Sequence, residues 1–218
     1  MTLAVFDLGG VMVRIARTWG EAASAAGIEI SEGRRGLAMT EFPGFDPYQA
    51  GAIGVHEYAE GLSKFLDCTH DDALAAHDHI LIEPYPGTLE IVTQLHDLGV
   101  RTGCLSNTNA VHWARMSDYA LFPAVASLQV QGLSHVLHEE KPNAAIYRAF
   151  EELADASPRE ILFFDDGQVN VDGAKACGWN AHKIDPFGDP AAQMREHLAE
   201  YGITLAGEHI CAALPQVD

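Results

Sequence analysis

The sequence predicts an α/β fold: a parallel sheet covered by helices on both faces, with a small helical lobe inserted after the first strand. Three observations carry this. Residues 3–8 form a short apolar run closed by Gly9 and Gly10, the pattern of a strand buried on both faces. Residues 16–82 show helical periodicity and polar loops but no strand pattern. From residue 83 onward, strand and helix signals alternate, which makes successive strands parallel.

The elements follow in order. Val55, Tyr58, Ala59, Leu62, Phe65 and Leu66 share one face of a helix. The EPYPG run at residues 83–87 then punctuates the chain. Ile91, Leu95 and Leu98 form a helical stripe ended by Gly99, a natural residue just past a helix end. Residues 100–105 read as the next strand, and residues 124–134 contain another. Pro142 suits the first turn of a helix whose inner face is Ile146, Ala149, Phe150 and Leu153. Residues 161–164 are a strand stopped by Asp165 and Asp166; a helix ending at Gly178 and a short strand at about 181–184 complete the series. This divides the chain into a core (1–15 and 83–204), the inserted lobe (16–82) and a tail (205–218).

Composition bounds the function. With 218 residues at roughly 150 per domain, the chain is one domain with an insertion. It is long enough to fold without disulfides or a structural metal. Thirteen basic against 31 acidic residues give a net charge of −18. Such a surface repels phosphate at long range, so neither nucleic acid nor an anionic membrane is expected as a partner. Cys68, Cys104, Cys177 and Cys211 contain no CxxC pair and read as reduced thiols. The opening MTLAVFDLGGVMV has no basic stretch before its apolar run, and Asp7 interrupts it; neither signal peptide nor membrane span is expected. The expectation is a cytoplasmic protein, monomer or homodimer. The eleven histidines show no HExxH spacing, and Trp19, Trp113 and Trp179 read as packing residues.

In an open parallel sheet, ligands bind beyond the carboxyl ends of the strands. The polar residues there are Asp7, Ser106, Asn107, Asp165 and Asp166, with Lys141 between them in the chain. Alone, Ser106–Asn107 reads as a turn or helix cap, and Lys141 as a solvated surface lysine. Together, three acids, a hydroxyl and a lysine suit a hard divalent cation plus a phosphoryl group. Magnesium takes two or three carboxylates and keeps several waters. The phosphoryl group would meet Lys141, the Ser106 hydroxyl and the amides at Gly9 and Gly10. Asp7, ending the first strand beside a glycine pair, is the best placed nucleophile for an aspartyl-phosphate.

The segments VFDLGGV, LSNTN, EEKPNAAIY and FFDDGQVNVDGA, in this order and spacing, resemble the four motifs of the haloacid dehalogenase-like hydrolase superfamily. The resemblance runs to about Gly202 and is closest to phosphatases with a helical cap. YQAGAIGVHEYAEGL is similar to their cap helix region, near bacterial sugar-phosphate (α-D-glucose-1-phosphate) phosphatases and the N-terminal phosphatase domain of epoxide hydrolases. The resemblance implies a Rossmann-like, doubly wound parallel sheet with residues 16–82 as cap. It implies Mg2+ as cofactor, held by Asp7, the Gly9 carbonyl and Asp166, with Asp165 direct or through water. Asp7, Ser106 and Lys141 would be catalytic. Ser106, the Asn107 amide, Lys141, Gly9 and Gly10 would bind phosphate, and Asn170 would orient the acids. A small phosphorylated metabolite is the implied substrate, a sugar phosphate first.

Two positions depart from the pattern. Most phosphatases of the superfamily carry an aspartate two residues after the nucleophile, where this chain has Gly9. Such general acid–base help is worth about 10²–10⁴-fold. The sugar-phosphate subgroup shows a similar DLG pattern. The other is His138, where relatives usually have glycine. Two alternatives stay open: carbon–halogen cleavage by Asp7 without metal, and a catalytically silent phosphate-binding module. Arg14, Arg17, Trp19, Phe45 and Tyr48 are candidates for leaving-group contacts, and His112 and Trp113 are near enough to the second motif to reach the pocket.

Overall fold

Leu3, Ala4, Val5 and Phe6 carry no polar side chain, so their strand can be covered on both faces and paired on both edges. In the computed structural model, which describes residues 2–206, this strand, β1 (Leu3–Phe6), is the centre of a five-stranded sheet. A two-stranded ribbon pairs β2 (Val13–Ile15) with β3 (Leu81–Pro84), antiparallel. The remaining sheet strands are β4 (Arg101–Ser106), β5 (Val130–Leu133), β6 (Ile161–Asp165) and β7 (Asn180–Lys183). The sheet order is β5-β4-β1-β6-β7 and every pairing is parallel. β1 therefore sits where the strand order reverses, the place where open α/β sheets bind ligands.

Alternation along β1 separates the two faces. Ala4 and Phe6 join Ile91, Val92, Leu95, Met194 and Leu198, from α5 (Thr88–Asp97) and α11 (Pro190–Glu200). Leu3 and Val5 join Ile146, Tyr147, Phe150 and Val171, from α9 (Ala144–Ala154) and α10 (Gln168–Ala176). The sheet is thus doubly wound. Short helices α6 (Ala110–Met116), α7 (Pro123–Ala126) and α8 (Ser134–Leu137) follow β4 and β5. The inserted segment packs α1 (Trp19–Ala26), α2 (Phe45–Gln49), α3 (Val55–Leu66) and α4 (His70–Asp78) around its own apolar cluster, which includes Trp19, Phe42, Tyr58 and Leu62.

Several expectations shift. The segment read as strandless ends in β3, whose Leu81 pairs with Ile15 of β2 and whose Ile82 falls at a shift in the register. Its partner lies some seventy residues earlier, so no local pattern announces it. Residues 124–134 open as α7 before β5 begins. Pro142 precedes the N-cap Asn143 instead of lying in the first turn of α9. The buried face of α9 is Ile146, Tyr147, Phe150 and Ala154, while Leu153 is exposed. Val55 and Leu98 are also exposed, at helix ends where the stripe runs past the core. α11 was not anticipated; its cap is Asp189 followed by Pro190, a start signal that could have been read. Of the tail expected at residues 205–218, positions 207–218, with Cys211, lie outside the described residues. Among the described residues no helix is long and apolar enough to cross a membrane.

A buried polar seam joins the inserted segment to the sheet. Asn109 caps α6 and its amide approaches His112 Nδ1 at 3.3 Å. His112 Nε2 bonds the His77 carbonyl at 2.8 Å, so its proton sits on Nε2. The two imidazoles stack with centroids 4.1 Å apart, and the Tyr58 hydroxyl meets His77 Nδ1 at 2.8 Å. Burial holds both rings neutral, pushing His112 down to about 4 and His77 well below its usual value. A depressed histidine stabilises fully above the unfolded value of about 6.5 and loses that contribution as pH falls toward its folded value. The difference in unfolding free energy between wild type and His112→Gln should therefore shrink by about 3 kcal/mol between pH 7 and pH 4. Urea titrations across that range measure it; a pH-independent difference would contradict the neutral, buried imidazole.

Candidate active site

Asp7 follows β1 directly. Its N–H donates to the Phe164 carbonyl at 2.8 Å, extending the β1–β6 ladder and fixing where its side chain emerges. Asp7 Oδ1 accepts the Leu8 N–H at 2.7 Å. The chain then turns tightly: Gly10 N–H donates to Val13 O and Val13 N–H to Leu8 O, both at 2.8 Å. Gly10 has φ 81°, and a Cβ there would overlap the Asp166 carboxylate. Only glycine permits both the conformation and the approach.

Lys141 is buried at 5% exposure. Its Nζ lies 2.6 Å from Asp165 Oδ2 and 3.0 Å from Asp7 Oδ1. Asn107 aims it: the side-chain amide donates to the Lys141 carbonyl at 3.0 Å and accepts the Lys141 N–H at 2.9 Å. His138, closing α8, adopts φ 55°, the left-handed region that glycine occupies at least strain. The histidine takes that conformation and Lys141 still reaches both acids. Burial pulls the Lys141 amine down, but Asp165 and Asp7 outweigh it and hold it above its usual value.

The three carboxylates differ. Asp165 is fully buried and both its oxygens are used. Oδ1 accepts Gly167 N–H at 2.7 Å and Asn170 Nδ2 at 3.0 Å, and Oδ2 accepts Lys141. Asp166 Oδ2 pairs with Arg17 at 3.0 Å. Burial raises its carboxyl, with Arg17 opposing. Burial also lifts Asp7 to about 7; Lys141 opposes, while Asp165 and Asp166 add to the rise. Asp7 Oδ2 and Asp166 Oδ1 accept no hydrogen bond from the described residues. Asp7, Asp165 and Asp166 can each offer an oxygen within 4.8 Å of the others. Three desolvated acids against two cations, with two free oxygens on one edge, fit a hard divalent ion. The Gly9 carbonyl also accepts no hydrogen bond among the described residues.

A cavity of about 180 Å³ opens above these groups. Asp7, Gly9, Ser106, Asn107 and Asp166 line its floor side, with Thr108 beside them; Phe45, Gln49 and Ile80 come from the inserted segment. Leu8, Ile15, Leu81, His112 and Met116 complete the wall. Lys141 and Asp165 stand behind the floor, and Gly10 backs Asp166. Of the leaving-group candidates, Phe45 lines the cavity; Arg17 is held on Asp166, Arg14 pairs with Glu83, and Trp19 and Tyr48 belong to the apolar cluster of the insertion. His112 reaches the wall whereas Trp113 packs against the sheet core. Gln49, Ile80, Thr108 and Met116 were not foreseen. Thr108 directly follows the Ser106–Asn107 pair, a local signal; the others meet only through the fold.

Residues 1–178 match the family model described as haloacid dehalogenase-like hydrolase. The chain belongs to the haloacid dehalogenase-like hydrolase family. Among relatives of this hydrolase, the Mycobacterium tuberculosis (strain CDC 1551 / Oshkosh) protein named Phosphatase MT3486 is 26% identical over 161 residues, 70% of this chain and 71% of its own. Among solved structures, a variant of a HAD family enzyme from Bacteroides thetaiotaomicron, in complex with magnesium and inorganic phosphate, has a TM-score of 0.75 at 20% identity, over 89% of this chain and all (100%) of that one. The L-2-haloacid dehalogenase of Xanthobacter autotrophicus, with chloropropionic acid covalently bound, has a TM-score of 0.56 at 19% identity, over 95% of this chain and 85% of that one. These structural likenesses concern the fold.

Removing Lys141 isolates two acids. Lys141→Met should lower unfolding free energy by about 3–5 kcal/mol, because Asp165 is left buried without its cation. Adding Asp165→Asn should recover much of that loss without restoring activity. Urea unfolding of the single and double variants checks this; a loss below about 1 kcal/mol in the single variant would contradict the buried pair.

Proposed function

We propose that this hydrolase is a Mg2+-dependent phosphatase of a small phosphorylated metabolite, acting through an aspartyl-phosphate on Asp7. The observation that carries the reading is the set of free oxygens on Asp7 and Asp166 facing the same cavity as Ser106, with the Lys141 ammonium 3.0 Å from Asp7. Asp7, Asp166 and the Gly9 carbonyl would hold the ion. Asp165, its oxygens engaged by Lys141, Gly167 and Asn170, supports the others and orients Lys141. When bound, magnesium supplies positive charge to the phosphoryl oxygens. Lys141 favours the ionised form of Asp7 against its burial and adds charge beneath the phosphoryl group, while the Ser106 hydroxyl, the Asn107 backbone amide and the Gly9–Gly10 loop donate to its oxygens. The phosphatase name of the mycobacterial relative and the magnesium and phosphate bound by the Bacteroides enzyme support this assignment.

Residues 16–82 would act as a cap over the core (1–15 and 83–204). Phe45, Gln49 and Ile80 already form one side of the cavity, so this segment excludes water and selects the substrate. A sugar phosphate is the substrate class that the resemblance names first. The acidic surface, −18 overall, suits a small-molecule substrate and not nucleic acid. Cys68, Cys104 and Cys177 are free thiols, which supports a reducing, cytoplasmic setting.

Phosphate release from a panel of sugar phosphates and an aryl phosphate should require Mg2+, stop with chelator, and fall by at least about 10³-fold in Asp7→Asn. Halide release from 2-haloacids without metal would favour the dehalogenase alternative. Vanadate binding without any product release would favour a silent phosphate-binding module.

A further inference from the structure

Among the described residues, the cavity lining offers no group free to protonate a departing oxygen. Asp7 is the nucleophile, and Asp166 has Oδ2 on Arg17 at 3.0 Å and Oδ1 turned to the ion, which keeps it ionised. Among the described residues His112 is the one imidazole in the wall, and both its ring nitrogens are engaged, Nε2 with the His77 carbonyl at 2.8 Å and Nδ1 with Asn109 at 3.3 Å. The Asn107 amide is spent on the Lys141 backbone. What remains polar in the wall is the Gln49 amide and the Ser106 and Thr108 hydroxyls. These donate hydrogen bonds but do not give up a proton near neutral pH. Gly9, which also lines the cavity, contributes no side chain. Around these groups stand Ile15, Phe45, Ile80, Leu81 and Met116, which solvate neither a developing alkoxide nor a ring of hydroxyls.

Resting on the phosphatase reading, we propose that the substrate class is a phosphate ester or anhydride whose leaving oxygen departs as a stabilised anion: an acyl, enol or aryl phosphate with a compact body. In the first step Asp7 Oδ attacks phosphorus and the P–O bond to the leaving group breaks. The electron pair stays on the leaving oxygen, which leaves as carboxylate, enolate or phenolate with no proton transferred. In the second step water attacks the phosphorus of phospho-Asp7, restoring the Asp7 carboxylate. The water oxygen and both its hydrogens leave in dihydrogen phosphate. With Asp166 shared between Arg17 and the ion, no side chain of the described residues lining the cavity is left to take a proton from that water, so the second step is slow and common to every fast substrate.

The test is a leaving-group series on the intact protein with saturating Mg2+: acetyl phosphate, aryl phosphates of graded phenol acidity, and the 1- and 6-phosphates of one hexose. The expected result is a fall in kcat/KM of about 100-fold or more from acetyl phosphate to the hexose 6-phosphate, the size of the missing proton transfer. The 1-phosphate should exceed the 6-phosphate, since the two share the sugar and differ in leaving oxygen. Among the fast substrates kcat should be level, with a burst of one leaving group per chain. A flat kcat/KM across the series, or a 6-phosphate hydrolysed as well as acetyl phosphate, would overturn the proposal while leaving the phosphatase reading intact. No phosphate release from any member would remove both. A second arm places a carboxyl at the leaving oxygen. A Cβ on Gly9 would lie 3.1 Å from the flexible end of Ile15, so Gly9→Asp is paired with Ile15→Val for room. In the folded variant the ratio of kcat/KM on the hexose 6-phosphate to kcat/KM on acetyl phosphate should rise at least tenfold. Equal change on both would count against the proposal, and if the variant does not fold, the wild-type series decides.

Discussion

A single buried ammonium organises the active edge of this protein. Lys141 brings a full positive charge to a place where it is almost completely shielded from water, and it is tolerable there because Asp165 and Asp7 lie at 2.6 and 3.0 Å. The converse holds equally: Asp165, with no exposure at all, depends on Lys141, Gly167 and Asn170 for every bond its oxygens make. Such clusters add little net stability, but removing one member leaves an uncompensated charge. β1, β5 and β6 must therefore end in register for the cluster to close, and the Asn107 clamp on the Lys141 backbone ties β4 to the same point. Fold and chemistry meet in that constraint.

Around it, each carboxylate acquires a different task from its surroundings. Asp165 accepts hydrogen bonds on both oxygens. Asp166 keeps one oxygen free while Arg17, from the start of the inserted segment, holds the other. Asp7 keeps one oxygen free and is raised by burial to about 7, so its ionised form needs the neighbouring cations. Gly10 lets the backbone close against Asp166. The inserted segment reaches the site twice, through Arg17 and through the Phe45–Gln49–Ile80 wall, and the His77–His112 seam anchors it to α6.

Much of this was legible in the sequence because open parallel sheets concentrate function at strand ends. Asp7, Ser106, Asp165 and Asp166 each follow an apolar run and could be placed on one edge without coordinates. The doubly wound core was legible for the same reason, from short apolar runs alternating with helical stripes. The β2–β3 ribbon was not, because its strands are three and four residues long and pair across the whole insertion. Stripe ends at Val55, Leu98 and Leu153 misled because periodicity identifies a face but not where the core stops. In the sequence the side chain of Asn107 signals only a turn, cap or phosphate-binding loop; its grip on Lys141 joins residues 34 positions apart, beyond any local pattern. The cavity wall likewise required the fold, since Phe45, Gln49 and Ile80 meet His112 and Met116 only in three dimensions.

The central claim is that Asp7, ionised beside Lys141, takes the phosphoryl group covalently. The most direct measurement mixes the protein with Mg2+ and a radiolabelled acyl phosphate, quenches in acid within the first turnover, and maps the label by peptide mass spectrometry. The account predicts one phosphoryl group per chain, on Asp7 of the LAVFDLGGV segment. Turnover without a labelled peptide, or label on any other residue, would contradict it.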